Sequence, residues 1–572
     1  NYAGTFAGPE LGDASNPVAV QDRTKNNKLN TWDIVGNVYG EADFLRHFTF
    51  RTSFGGTIDN SYNYNIGYTA YENIEHHTEN NSFSETAGYN SSYTWTNTLH
   101  YKNTFGRHKV DVIGGTEAIR NYGRSLTGGA TNFFSLEPNY LILPNGTANI
   151  TNSSSAYLNT LFSLFGRVDY AYDDKYLVGA TVRRDGSSVF GSDKRYGVFP
   201  SFSLGWRLSD EGFMKGIGFI NDLKLKGSYG ILGSQANVDP NNAYTLYNSG
   251  FATSYYDITG SSSSAQQGFR QSRVGNSATG WEQDKISNFG VEATVLNNRL
   301  YVSVERYKKS INGLLFPLPL PSSAGNATPP TVNIGDIANK GWDISATYRG
   351  EITSDLHFNI GANITTYKNE VVKIPDPGYF DVPFTSSLIG SLVRNQEGHP
   401  VGSFFGYQVE RLFRDADDVS KSPAQTDAAP GRFKYKDVNG DGQITPDDRT
   451  FIGNPNPKFT YGLNLSLTFK NFDLAGIFYG SQGNDVLNMT RYYTDFYSTS
   501  NGGLAKSNVV KDAWTPQNLN AKVPLREFSG SFSSPGGSSE EKFCCTPAAA
   551  RRSTSPASRI PTPGFSTFAA AW

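Results

Sequence analysis

From Tyr461 to Phe469 the chain alternates without a break. Tyr461, Leu463, Leu465, Leu467 and Phe469 are apolar, and Gly462, Asn464, Ser466 and Thr468 between them are small or polar. A period of two places the first set on one face of a β-strand and the second set on the other. Lys470 and Asn471 interrupt the pattern, and Phe472, Leu474, Gly476 and Phe478 resume the apolar face, which predicts a hairpin. Residues 461–469 extend about 27 Å along the strand, or roughly 20 Å along the normal at a tilt near 40°. An apolar face of that height, with an aromatic at each end, suits the lipid-facing band of about 25 Å on an outer-membrane barrel.

A soluble antiparallel sandwich gives the same alternation in any one strand. Repetition argues for the barrel. Leu356, Phe358, Ile360, Ala362 and Ile364 alternate with polar residues, as do Trp342, Ile344, Ala346 and Tyr348. Further strand pairs are expected at 31–40 with 48–54, 94–101 with 109–115, 165–172 with 176–183, 201–208 with 222–229, and 285–296 with 299–307. Connections at 105–107, 173–175, 297–298, 350–354 and 470–471 are short, whereas those at 119–155, 231–280, 311–340 and 368–457 are long, the first two rich in Gly, Asn and Ser. Outer-membrane barrels show this asymmetry between periplasmic turns and extracellular loops. In all about fifteen strands are expected, with two open edges that lipid would not tolerate, so further strands are expected from outside these residues. The sequence opens at Asn1 with no Met, no charged n-region and no apolar h-region, so any export signal is expected upstream.

Composition narrows the class. No stretch of the 572 residues approaches the ~18 consecutive apolar residues of a spanning helix, so a helical membrane protein is excluded. The net charge of −2 supplies no global basic field and argues against nucleic acid as a partner. The only two cysteines, Cys544 and Cys545, are adjacent and support neither a disulfide framework nor a cysteine zinc site.

Alternation also assigns facing. Within Leu223-Lys224-Leu225-Lys226, a lysine on the lipid face would cost about 2–4 kcal/mol at the bilayer midplane. Leu223, Leu225 and Tyr229 therefore face lipid, and Lys224 and Lys226 face the lumen.

One stretch carries candidate metal chemistry. Asp437, Asn439, Asp441, Gln443 and Asp448 stand at positions 1, 3, 5, 7 and 12 of a calcium-loop template, with Gly442 at the sharp turn. Hard oxygen ligands at that spacing are what Ca²⁺ requires, and a structural ion is the expected role. Asp448 replaces the usual bidentate Glu, and no amphipathic helix flanks the loop. The alternative is an Asn-Gly/Asp-Gly turn whose side chains bond their own backbone. His47, His76, His77, His100, His108, His357 and His399 show no metal-ligand spacing beyond one adjacent pair, and in a strand that pair points to opposite faces. No nucleophile elbow, zincin helix or phosphate loop occurs, so enzymatic activity is not expected. Residues 241–275 and 488–503, rich in Asn, Ser, Gly and Tyr, suit sugar stacking or protein docking, or are ordinary solvated loops.

Four stretches carry a resemblance: RRDGSSVFGSDKRYGVFPSFSLGWRLSDE at 183–211, GWEQ…NFGVEATVLNNRLYVSVERYKK at 280–309, NIGDIANKGWDISATYR at 333–349, and YKDVNGDGQITPDDRTFIGNPNPKFTYGLNLSLTFKNFDL at 435–474. In order and spacing the chain resembles the SusC/RagA family of TonB-linked outer-membrane transporters. The resemblance implies an all-β fold, a transmembrane antiparallel β-barrel with long extracellular loops, partial here against the family's 22 strands. It implies a carboxypeptidase-regulatory-like domain, a TonB box and a plug upstream of this region. Residues 1–525 are assigned to the barrel. Residues 526–572 depart from the family pattern, hold both cysteines and lose the period of two, which reads as a frame error, an unrelated tail or a disordered native one.

The resemblance implies import of glycans or peptides across the outer membrane. Its implied partners are a SusD-like surface lipoprotein, the TonB–ExbB–ExbD complex, an oligosaccharide or peptide substrate, and the lipid bilayer. A passive porin-type channel and a calcium-dependent surface adhesion module are the competing readings.

Overall fold

The structure is a computed structural model that describes residues 16–71, 77–250, 254–257, 259–260, 265–318, 320–382, 391–488 and 508–525. The tail at 526–572 with Cys544 and Cys545, His76, and most of 488–503 lie outside the described residues.

Fourteen strands form one antiparallel sheet in which every strand pairs with its sequence neighbour. They are β1 (Lys28–Phe44), β2 (Phe48–Gly67), β3 (Ser82–Phe105), β4 (His108–Phe133), β5 (Gly146–Tyr172), β6 (Tyr176–Ser187) and β7 (Tyr196–Arg207), followed by β8 (Ile220–Ser234), β9 (Glu282–Val295), β10 (Leu300–Asn312), β11 (Asp336–Thr353), β12 (Leu356–Lys373), β13 (Phe459–Phe469) and β14 (Phe472–Gln482). Among the described residues β1 and β14 are the edges of this sheet. No described helix is long and apolar enough to cross a membrane.

The pairing register turns the sequence alternation into two continuous faces. In β13 and β14, Phe469 lies opposite Phe472, Leu467 opposite Leu474 and Leu463 opposite Phe478. On its other side β13 sets Leu467 against Phe358, Leu465 against Ile360 and Tyr461 against Ile364. The row continues through Ile344, Val304 and Val291 to Leu225 and Trp206. Each residue of this row is apolar, and a one-residue slip of any strand would move its whole apolar set to the opposite face.

The connections separate by end. Tight turns join β1 to β2, β3 to β4, β5 to β6, β9 to β10, β11 to β12 and β13 to β14 at one end of the sheet. Their residues accept left-handed backbone: Asp173 and Asp174 both have φ of 55°, and Asn297 and Asn298 have φ of 57° and 65°. Tight hairpin turns of this hand match the twist of the strands they join, and Asn and Asp tolerate that conformation better than most residues. An aromatic row lies just inside this end, where Phe44 stacks on Phe48 at 5.6 Å, Tyr172 on Tyr176 at 6.3 Å and Tyr176 on Trp206 at 6.4 Å. Such girdles mark the membrane–water boundary of a barrel.

The expectation of a loop over 119–155 is corrected. β4 runs to Phe133, β5 starts at Gly146, and only 134–145 connects them. At 27 residues β5 is far longer than the roughly 10 residues that cross a bilayer. Its outer part stands clear of the membrane, where both faces are wet, so TNSSSAYLNT is held by ladder hydrogen bonds with no apolar contrast to betray it.

At the opposite end the longest connection, 374–458, folds around a core of its own. Tyr379–Val382, Val393–Gln396, Ser403–Tyr407 and Arg449–Gly453 form a four-stranded sheet, and Val409–Leu412 pairs with Phe433–Tyr435. Tyr407, Val409, Leu412, Phe433, Tyr435 and Ile444 bury against one another, and Trp514 from the 508–525 segment closes the cluster.

Candidate functional site

The inner face of the sheet is where charge collects. Leu225 lies opposite Trp206 and Val291 on the apolar face, while its neighbours Lys224 and Lys226 point the other way. Lys224 Nζ reaches Glu292 Oε2 at 3.3 Å, and Lys226 Nζ reaches Glu292 Oε1 at 2.6 Å and Glu305 Oε1 at 2.5 Å. A second cluster sits on the same face, where Arg183 donates to Glu117 at 2.7 Å, Asp185 at 2.7 Å and the Ser163 hydroxyl at 2.8 Å. Lys309 pairs with Asp284 at 2.7 Å. Ion pairs in contact with water contribute little stability, about 0–1 kcal/mol each, so their effect is to hold fixed charges in place along a polar wall. Lys224 and Lys226 were assigned to it from the sequence. Glu292, Glu305, Glu117 and Arg183 were missed, although the parity of Val291-Glu292-Ala293 and Val304-Glu305 carries the same signal.

The acidic loop closes on itself. Gly440 N–H donates to Asp437 Oδ1 at 2.6 Å and Gly442 N–H to Asp437 Oδ2 at 2.9 Å. Asp441 N–H donates to Asn439 Oδ1 at 2.9 Å, Asn439 Nδ2 to Asp441 Oδ2 at 3.1 Å, and Gln443 N–H to Asp441 Oδ1 at 2.8 Å. Gly440 and Gly442 hold φ of 77° and 81°, which the turn requires and a side chain would strain.

Asp448, the expected twelfth ligand, is fully buried. Its Oδ1 accepts from Val438 N–H at 2.8 Å and Asn439 N–H at 3.4 Å, and its Oδ2 accepts from Thr445 N–H at 2.8 Å. Burial pushes its pKa up, but these N–H donors outweigh burial and hold it below the usual carboxylate range. Among the described residues no group of three or more His, Cys, Asp or Glu gathers as a metal centre. Asp437, Asn439, Asp441, Gln443 and Asp448 are thus brought into one loop, in which side-chain oxygens of Asp437, Asn439, Asp441 and Asp448 accept from its N–H groups and Gln443 takes part through its own N–H.

The described histidines are scattered. His100 meets Asp111 at 2.6 Å, His108 meets the Tyr170 hydroxyl at 2.7 Å, and His399 stacks on Phe451 at 3.6 Å. In the 241–275 region, Tyr247, Tyr256 and Phe269 are exposed.

The profile of the family described as TonB dependent receptor-like, beta-barrel matches residues 1–525. This chain belongs to the TonB-dependent receptor β-barrel family. Its sequence is 30% identical to TonB-dependent receptor P3 of Formosa agariphila over 92% of this chain and 51% of that protein. It is 28% identical to TonB-dependent receptor SusC of Bacteroides thetaiotaomicron over 89% of this chain and 49% of that protein. The chain therefore spans about half the length of the curated relatives it matches. Among solved structures, the RagAB peptide transporter superposes with a TM-score of 0.74 at 23% identity, over 90% of this chain and 54% of that one, a likeness of fold. The fourteen-stranded meander is accordingly a TonB-dependent receptor barrel wall, as the resemblance to SusC/RagA proteins implied.

Proposed function

We propose that this chain is the wall and extracellular loop region of an outer-membrane importer of glycans or peptides, acting with a SusD-like surface lipoprotein and energised by TonB–ExbB–ExbD. The observation that carries this reading is the two-faced sheet, with Leu225 in the apolar row and Lys226 fixed between Glu292 and Glu305 on the polar wall. A polar wall lined with held charges suits hydrated cargo. The loop core around Tyr407, Phe433 and Trp514 supports the lipoprotein part, because a docked lid needs a surface of set shape at the mouth.

The test is uptake of labelled oligosaccharide and peptide pools by cells expressing the full-length protein, with and without TonB, alongside co-purification of a surface lipoprotein. Uptake of one pool that stops without TonB, with a lipoprotein recovered, is the expected result. Uptake that persists without TonB would replace this reading with a passive channel.

A further inference from the structure

Along β4 and β5 the inner face is charged toward the short-turn end, where Asp111 lies opposite Asp169, Arg167 bonds Asp169 and Glu117 bonds Arg183 of β6. Farther out the same face changes character. Over 86–92 of β3, 121–127 of β4 and 153–159 of β5, every inward position is Asn, Ser, Thr, Tyr or Gly. The side chains bond one another across the strands. Ser92 Oγ donates to Asn121 Oδ1 at 2.6 Å, the Thr86 and Thr127 hydroxyls meet at 2.9 Å, and so do those of Ser125 and Ser155. The nearest charge on β2 is a carboxylate, Asp59, opposite Asn90.

Tyr157 is set into this ladder, with Ser155 and Asn159 flanking it on the same face. It lies opposite Gly123, where a Cβ would stand 2.3 Å from the Tyr157 ring and 2.4 Å from Asn90 Oδ1. Glycine therefore lets the ring lie across β4 toward β3, where the Tyr157 hydroxyl donates to Asn90 Oδ1 at 3.4 Å. Nearer the short turns Phe165 crosses Gly115 in the same way, with a Cβ there 2.6 Å from its ring, and Arg183 stands over it at 5.6 Å. Tyr157 differs. It is 42% exposed, and among the described residues no cation or second ring stands over it.

We propose that this part of the mouth binds an uncharged oligosaccharide, with one sugar ring stacked on the open face of Tyr157 and the hydroxyls around it bonded along the ladder. Ser, Thr and Asn side chains both donate and accept, as sugar hydroxyls do, whereas carboxylates only accept and Lys and Arg only donate. A flat aromatic face beside a few convergent polar groups matches the C–H face and hydroxyl rim of a sugar. An anionic glycan would meet no cation at these positions and would approach Asp59, so its charge would be desolvated without compensation. The inference rests on the proposed import of glycans or peptides and narrows it to neutral glycans.

The experiment titrates the full-length protein in detergent with neutral fragments of α-glucan, β-glucan, mannan and xylan, with homogalacturonan fragments and with a peptide pool, and reads binding by calorimetry. One neutral class should bind at least tenfold more tightly than homogalacturonan or peptide. Tyr157→Ala should weaken that binding roughly tenfold, and Tyr157→Phe, which keeps the ring, by less than threefold. Gly123→Ala, which pushes the ring off the wall, should weaken it too, whereas Phe165→Ala, whose ring is already covered by Arg183, should not. Binding of no neutral fragment, tighter binding of homogalacturonan or peptide, or undiminished binding by an assembled Tyr157→Ala variant would overturn the proposal. Uptake of the same fragments by cells separates this from the import reading. Peptide uptake that needs TonB, with no neutral fragment bound, would keep import and remove this surface, and a neutral fragment bound through Tyr157 but taken up without TonB would keep the surface and remove active import.

Discussion

Lys226 on β8 holds Glu292 on β9 at 2.6 Å, while Leu225 beside it in the chain lies opposite Val291 on the other side of the sheet. One peptide bond separates the wet wall from the greasy one. Removing the cation alone, as in Lys226→Met, should leave Glu305 without its cation and Glu292 with Lys224 as its remaining one. The change in heat-modification midpoint should be small, in keeping with about 0–1 kcal/mol per hydrated pair, whereas transport should change, since the fixed charge pattern of the wall changes. A variant that fails to assemble would show that the pair carries folding.

The register makes a sharper claim at neighbouring positions of β13. Leu465 sits between Ile360 and Gly476 on the apolar face, and Asn464 between Gly361 and Ile477 on the other. Leu465→Arg places a charge in lipid at a cost of about 2–4 kcal/mol near the midplane, so outer-membrane yield should fall. Asn464→Arg should assemble at wild-type yield. Equal yields would refute the register.

Acid should open the loop core late. Asp418 is drawn below the usual carboxylate range, first by its hydrogen bonds from Arg411, against its own burial, with further help from Arg414 N–H. Asp448 is lowered as well. For a carboxylate whose folded pKa is depressed, the stabilisation is complete above the unfolded value near pH 4 and is lost as pH falls through the folded value. Amide exchange across 408–448 should therefore be flat from neutral pH down to about pH 4 and accelerate below it. Asp418→Asn should flatten that acid response. Loss of protection between pH 7 and pH 5 would contradict the assignment.

The acidic loop gives a separate outcome. Asp448→Ala would remove the acceptor of the part-buried Val438 and Thr445 N–H groups, so amide protection across the loop should fall. Because the side-chain oxygens are already engaged by these donors, a chelator should leave loop protection in the wild type unchanged. Calcium-dependent protection of 437–448 would instead support the structural ion that the spacing suggested.

Much of this architecture is legible in the sequence. Wherever one face meets lipid, the contrast between Leu465 and Asn464 or Leu225 and Lys226 is strong, and it gives strand, register and facing together. Where both faces are wet the contrast vanishes, which is why the outer parts of β4 and β5 read as a loop. The acidic loop shows a different limit. Ligand spacing fixes which oxygens share a loop, but not whether they turn outward to an ion or inward to the backbone. The burial of Trp514 in one cluster with Phe433 and Tyr435 depends on segments far apart in the chain, and no local pattern announces it.

The central claim is the facing of the two walls, and labelling tests it most directly. In the full-length protein with Cys544 and Cys545 replaced by serine, single cysteines at Leu225, Leu465, Lys226 and Asn464 would carry a fluorophore in membranes containing a lipid-phase quencher. The account predicts quenching at 225 and 465 with protection from water-soluble thiol reagents, and the opposite at 226 and 464. Water-soluble labelling at 225 and 465, or lipid quenching at 226 and 464, would contradict it.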